Sequence, residues 1–132
     1  MSGLRQRRGR ILAACLLWAL LLIFLALEPD AAVEIFLPFR VLRDLAHAAC
    51  YGVLAFLVAV FLIFKRSLFS FRFTDRRAVL LAFGAALAWG GFTEYLQKFT
   101  PDRIPEAGDV FWDAAGAAAG LVLFAFNRKI AF

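Results

Sequence analysis

Eight polar residues of this sequence carry side chains able to bind a ligand or take part in catalysis. Most of them lie at the ends of long apolar segments made largely of Leu, Ala and Phe. Ionisable side chains near bilayer depth are costly, so they are usually paired, face the interior of a helix bundle and mark function. The candidate ligand-binding residues are therefore Asp44, His47, Tyr51, Glu94, Gln97, Arg103, Asp109 and Asp113.

These residue types indicate proton transfer or the recognition of a polar group. His47 suits general acid/base work with Glu94 or Asp109 as its orienting partner, so these three are the candidate catalytic residues if the protein is an enzyme. Arg103 can hold a phosphate or carboxylate through two parallel hydrogen bonds.

A metal site is the alternative use of the same side chains. Carboxylates favour a hard cation, whereas an imidazole favours a transition metal. The sequence has a single histidine and no paired metal motif such as HExxH. We therefore predict no metal and no cofactor.

The composition of the chain is that of a membrane protein. Of its 132 residues, 64% are hydrophobic and 16 are Phe, whereas an average soluble domain is roughly 45–50% apolar. The net charge of +5 is attributed to basic residues in cytoplasmic loops. We therefore predict the lipid bilayer as a partner and no nucleic acid, because basic residues alone are the weakest feature of a nucleic-acid-binding protein.

The apolar segments predict an all-α fold with four transmembrane helices in an antiparallel bundle with short loops. A single domain occupies residues 1–132. The first apolar segment is seventeen residues long, about the lower limit for a spanning helix. Its length exceeds the usual core of a signal peptide, so we interpret it as a retained helix. The predicted spans are about 11–27, 44–64, 79–97 and 109–126.

The fourth predicted span contains two glycines four residues apart, Gly116 and Gly120, separated by three alanines. Small residues at this spacing let helices approach closely in lipid. These two glycines are therefore predicted to pack against a neighbouring helix.

The distribution of charge predicts the orientation of the helices. With four spans and a cytoplasmic N-terminus, eleven of the fifteen Lys and Arg residues fall on the cytoplasmic side, as the positive-inside rule requires. Both termini are then cytoplasmic, while nine of the ten carboxylates are extracytoplasmic. Because successive spans run in opposite directions, the polar residues collect at three helix ends and one loop. Within the second span, Asp44, His47 and Tyr51 share one helix face. We expect a polar cavity at the outer membrane surface.

The polar residues also form three spaced motifs, which are Asp44-x-x-His47-x-x-x-Tyr51-Gly52, Glu94-x-x-Gln97-x-Phe99-x-Pro101-x-Arg103 and Asp109-x-x-x-Asp113-x-x-Gly116-x-x-x-Gly120. In this order and spacing they resemble the VanZ-like membrane proteins, a family named for a teicoplanin-resistance protein. One departure is Asp113, where family members usually have Asn. The resemblance implies a small multi-pass protein of the bacterial cytoplasmic (inner) membrane, associated in some members with reduced susceptibility to glycopeptide antibiotics.

Three functions remain open. The first is non-catalytic recognition of a cell-envelope component, such as a cell-wall precursor or a lipid headgroup. The second is a membrane-embedded hydrolase or transferase acting on a lipid-linked envelope substrate, with His47 as acid/base. The third is a structural clamp, in which the polar residues only fix the outer rim of the bundle. Protein partners are not predicted.

Overall fold

A computed structural model of the chain describes residues 2–28, 34–35, 38–65, 75–101, 104 and 106–130. The described residues form four long helices joined in chain order, with no strand among them. The helices are α1 (Ser2–Leu27), α2 (Arg40–Lys65), α3 (Asp75–Gln97) and α4 (Ala107–Ile130).

Each helix is long and apolar enough to cross a membrane. This confirms the prediction of an all-α protein with four membrane-spanning helices. Three helices begin at least four residues before the predicted spans, most clearly α1, which starts at Ser2 rather than residue 11. Hydropathy detects only the apolar part of a helix, whereas backbone hydrogen bonding continues into its polar ends. The segments that satisfy length and hydropathy are Arg5–Leu27, Arg40–Ile63, Arg76–Gln97 and Ala107–Asn127.

Helices α2 and α4 approach each other most closely, through glycines. A side-chain carbon placed on Gly116 would overlap the backbone of Ala48, and one placed on Gly120 would overlap the backbone of Gly52. Gly52 is equally constrained, since a Cβ there would lie 2.8 Å from the Gly116 carbonyl oxygen. The absence of side chains therefore sets the distance and the register between the two helices.

Helix α3 turns a stripe of small residues towards the core. Ala78, Ala82 and Ala86 are fully buried at a spacing of four residues, and Gly90 continues the stripe. The same face then becomes polar at its C-terminal end, where Thr93 and Gln97 are buried. The buried polar side chains of α3 therefore all lie at one end of the bundle.

Helix α1 is fastened to the other helices by two tryptophan side chains. The Trp18 indole Nε1 donates a hydrogen bond to the carbonyl oxygen of Cys50 on α2, at 2.9 Å. In the second hydrogen bond α1 is the acceptor, because Trp89 Nε1 on α3 donates to the carbonyl oxygen of Ala19 on α1, at 3.3 Å. Most other large side chains of α1 are exposed, including Leu16, Leu17 and Leu20, as expected for a helix that faces lipid.

We expect Trp18→Phe to lower the free energy of unfolding by about 0.5–1 kcal/mol, because it removes one interhelical hydrogen bond in the membrane. Thermal unfolding in detergent, followed by circular dichroism, measures the change. Trp112→Phe is the matched control, since the described residues supply no hydrogen bond to the Trp112 indole. Equal effects of the two substitutions would contradict the fastening role of Trp18.

Candidate functional site

Three helix ends bring the candidate residues to one end of the bundle. Asp44, His47 and Tyr51 lie on the first turns of α2, which begins at Arg40. Glu94 and Gln97 lie on the last turn of α3, which is adjacent because α2 and α3 run in opposite directions. Helix α4 contributes the remaining carboxylates, Asp109 and Asp113, from its first two turns.

His47 is the centre of the cluster, because both α4 aspartates contact its ring. Its Nδ1 atom lies 3.0 Å from Asp113 Oδ1, within hydrogen-bonding distance. Its Nε2 atom lies 3.7 Å from Asp109 Oδ2, which is too long for a direct hydrogen bond. We call His47, Asp109 and Asp113, together with Glu94, the polar cluster.

The exposure of the cluster changes with depth. The side chains of His47 and Asp109 are 24% and 23% exposed, whereas that of Asp113 is only 4% exposed. The buried Asp113 carboxylate therefore orients the ring from below, while the side chains of His47 and Asp109 are partly exposed. When Asp113 is ionised it can only accept hydrogen bonds, so Nδ1–H of His47 is the donor to Asp113 Oδ1.

Gly90 on α3 makes room for the Asp113 carboxylate. A Cβ at Gly90 would lie 2.7 Å from Asp113 Oδ2, well inside van der Waals contact. Gly90 is itself buried. The position of the carboxylate under His47 thus depends on a missing side chain on the neighbouring helix.

We expect Gly90→Ala to displace Asp113 from His47 while the helices stay folded, because the overlap is with a side chain that can rotate rather than with backbone. Histidine tautomers can be followed by ¹⁵N NMR, since the chain has a single histidine. The Nδ1 and Nε2 signals should change in Gly90→Ala. The control is Gly91→Ala, whose added Cβ would meet nothing within 4 Å, and unchanged signals in both variants would refute the role of Gly90.

Tyr51 forms the floor of the cluster. Its ring stacks under that of His47, with centroids 6.3 Å apart and an interplanar angle of 11°. The Tyr51 hydroxyl is hydrogen-bonded to Thr93 Oγ1, and Thr93 Oγ1 donates in turn to the Gly90 carbonyl oxygen at 2.9 Å. Because Thr93 uses its only hydroxyl proton there, Tyr51 is the donor to Thr93. Both side chains are buried.

Thr93 was not among the residues expected at the site. Its sequence signal is positional, since it continues the stripe of small residues Ala82, Ala86 and Gly90 on the buried face of α3. A hydroxyl at the end of such a stripe needs a partner from another helix. Tyr51 supplies that partner.

The other candidates are placed less centrally. Glu94 is half-buried and lies within electrostatic range of His47, Asp109 and Asp113. Gln97 is buried at the C-terminus of α3. Asp44 is half-buried and takes no part in the hydrogen bonds that join the polar cluster to described residues. Arg103, predicted to hold an anionic group, lies outside the described residues.

An ion pair at the rim was also missed by the sequence analysis. Arg40 at the start of α2 contacts Glu106, just before α4, at 2.8 Å. The two side chains are 71% and 53% exposed, so the pair contributes little stability. Opposite charges next to two helix starts were its only sequence signal.

Metal binding finds no further support in the geometry of the described side chains. No three His, Cys, Asp or Glu residues of the described ranges are arranged to hold a metal ion. The polar cluster instead has one hydrogen-bonded His–Asp pair with further carboxylates beside it. Such a pair fixes the orientation and tautomer of the imidazole.

The fold and the cluster define a class of protein: a multi-pass membrane protein of four helices with a histidine and several carboxylates gathered at one end. The chain matches the VanZ/LLP1 family model over residues 8–128 and belongs to this family. The resemblance carried by the three motifs is thereby confirmed. No characterised protein and no solved structure matches the chain significantly.

Proposed function

We propose that this protein is a receptor-like component of the bacterial cytoplasmic membrane, which binds a polar group of a cell-envelope component through its polar cluster. The observation that carries the proposal is the His47 ring, held by buried Asp113 while the side chains of His47 and Asp109 stay partly exposed. A purely structural group needs no exposed side chain. A partly exposed side chain with a fixed orientation is what a binding site requires.

The chemistry of the cluster favours a ligand that donates hydrogen bonds. Asp109 and Glu94 carry acceptor oxygens, and His47 Nε2 is an acceptor when Nδ1 carries the proton. An ammonium or hydroxyl group therefore fits beside Asp109. We further propose that Arg103 binds an anionic group of the same ligand, as its guanidinium fork suits phosphate or carboxylate.

The cluster faces the extracytoplasmic side in this proposal, and both termini are cytoplasmic. The proposal is supported by the sequence distribution of charge, with eleven of the fifteen basic residues in the segments predicted to be cytoplasmic, in keeping with the positive-inside rule. Cysteine labelling of the intact cell tests it. A cysteine introduced at exposed Glu106 should react with a membrane-impermeant maleimide, and one at exposed Arg5 should not.

Binding is tested with purified protein and lipid-linked cell-wall precursors. Asp109→Asn should weaken saturable binding about tenfold, equivalent to about 1.4 kcal/mol, because a charged hydrogen bond becomes a neutral one. Glu106→Gln makes the same acid-to-amide change at the exposed rim and should leave binding unchanged. The proposal fails if binding is not saturable, or if the two variants behave alike.

An enzyme is the second candidate, and the His47–Asp113 hydrogen bond favours it. A carboxylate at Nδ1 stabilises the imidazolium that forms when Nε2 takes a proton. The protein would then be a hydrolase or transferase on a lipid-linked envelope substrate. The test is whether the purified protein converts the precursor to a product. If it does, and if His47→Ala abolishes this conversion at unchanged protein level, the protein is an enzyme and not a simple binding protein.

A structural clamp predicts a different result from either. Glu94→Ala and Arg103→Ala would then mainly lower the amount of folded protein in the membrane.

We also propose a link with teicoplanin susceptibility, which the family resemblance suggests. Deletion of the gene should shift the inhibitory concentration of teicoplanin, and complementation with His47→Ala should fail to restore it.

A further inference from the structure

Three polar groups near the polar cluster are buried without a hydrogen-bond partner among the described residues. Gln97, at the end of α3, is 3% exposed, and Thr100 in the following turn is 8% exposed. Thr100 Oγ1 has no partner in the described part of the chain, and neither does the Gln97 side chain. On α2, the Nε atom of half-buried Arg43 is in the same position. Buried polar groups are normally paired, so three of them need an explanation.

The three groups lie along the contact between α2 and α3. The hydrogen bond between Tyr51 and Thr93 fixes the register of this contact. Because the helices run in opposite directions, equal steps from this pair along each helix reach equal heights. Steps of four, and then of seven or eight, stay on the same helix faces and reach two further pairs, His47 with Gln97 and Arg43 with Thr100. We call Gln97, Thr100 and Arg43 the unpaired set.

The unpaired set favours an uncharged ligand group. The Gln97 amide and the Thr100 hydroxyl both donate and accept hydrogen bonds, whereas Arg43 Nε only donates. An anion at this place would be repelled by the half-buried carboxylates Asp44 and Glu94, and a cation would be repelled by Arg43. Hydroxyl groups both donate and accept without a net charge, so a group with several hydroxyls satisfies all three members of the set.

We propose that the unpaired set binds an uncharged group with several hydroxyls, of the sugar type. Gln97 and Thr100 contact its hydroxyls, and Arg43 donates to one of its oxygens. The group enters beside Thr100, whose neighbours in sequence, Phe99 and Pro101, are exposed. This inference rests on the proposed function, because it names the chemical class of one part of the same ligand. It requires no contact with the residues of the polar cluster.

Groups kept unpaired for a ligand have a measurable effect on the free protein. An unpaired buried polar group lowers stability, and an apolar residue of the same shape removes that cost. Thr100→Val and Gln97→Leu should therefore leave the melting temperature of the ligand-free protein unchanged or raise it. Thr93→Val makes the same change at a paired hydroxyl, which is bonded to Tyr51 and Gly90, and should lower the melting temperature by about 4 °C.

The binding test uses native mass spectrometry of purified protein in an amine-oxide detergent, which carries no sugar. The probes are glucosyl diacylglycerol and diacylglycerol with the same acyl chains. We expect a preference of about tenfold for the glucosyl lipid, equivalent to about 1.4 kcal/mol. Thr100→Val and Gln97→Leu should each remove most of this preference. The control is Tyr95→Phe, which removes a hydroxyl on the exposed face of α3 and should keep the preference.

The lipid-linked cell-wall precursor is measured in parallel, because its sugar is a second source of the same chemistry. A loss with both ligands assigns the set to sugars in general, and a loss with the glucosyl lipid alone assigns it to glycolipids. Equal binding of the two diacylglycerol probes would overturn the inference. So would a Thr100→Val variant that is destabilised as much as Thr93→Val, because its hydroxyl would then be paired in the free protein.

The proposed function is judged separately by Asp109→Asn. If this variant loses precursor binding while Thr100→Val and Gln97→Leu bind both ligands as the parent does, the proposed function stands and this inference fails. If Asp109→Asn binds the precursor as tightly as the parent, both fail.

Discussion

Gly116→Ala is expected to destabilise the protein by about 3 kcal/mol or more, the largest effect of any single methyl group in the bundle. The added Cβ would overlap the backbone of Ala48. Backbone cannot rotate away as a side chain can, so α2 and α4 must separate along their length. Overpacking of this kind typically costs about 1–3 kcal/mol and more when no side chain can yield.

Thermal unfolding in detergent and the yield of monodisperse protein measure this effect. The control is Gly84→Ala on α3, where a Cβ would meet nothing within 4 Å. Alanine is a better helix former than glycine by about 1 kcal/mol, so the control should be neutral or more stable. The opposite ranking of the two variants would show that the close approach of α2 and α4 is not required.

Asp113→Ala is expected to abolish ligand binding more completely than any other change in the polar cluster. The substitution leaves His47 Nδ1 without its hydrogen-bond partner at 3.0 Å and opens a space in a buried position. An unpaired buried donor costs about 1–3 kcal/mol, so the protein should remain folded but less stable. The His47 ring should lose its single tautomer, which ¹⁵N NMR detects.

Asp113→Asn separates the geometry of the hydrogen bond from its charge. The asparagine carbonyl can still accept from Nδ1–H in nearly the same volume, so the tautomer and the stability should stay close to those of the parent. Binding that is retained in Asp113→Asn but lost in Asp113→Ala assigns Asp113 to positioning. If the alanine variant binds as the parent does, the central role of the His47–Asp113 pair is wrong.

Hydropathy and charge were sufficient to predict the four helices and the end of the bundle at which the polar residues gather. Long apolar segments have few alternatives in lipid, because every backbone group must be hydrogen-bonded internally. Helical spacing then placed His47 and Tyr51 on one face and Asp109 and Asp113 on another. These statements need only the sequence and the direction of each helix.

The pairing inside the cluster could not be predicted in the same way. Glu94 or Asp109 was expected to orient His47, whereas Asp113 holds Nδ1 and Asp109 lies near Nε2. That choice depends on the axial register of α2 against α4. Contacts between backbones at the α4 glycines set the register, and the spacing of residues within one helix contains no information about it.

The hydrogen bond between Tyr51 and Thr93 has a further consequence for permeation. Beyond it, the buried core of the described helices is hydrocarbon, formed by residues such as Ala55, Ala86, Leu121 and Phe124. A hydrated ion that reached His47 would meet this apolar core, in which these four side chains carry no oxygen to coordinate it. The electrical insulation of the membrane is thereby preserved, so vesicles containing this protein should hold a potential as long as empty ones.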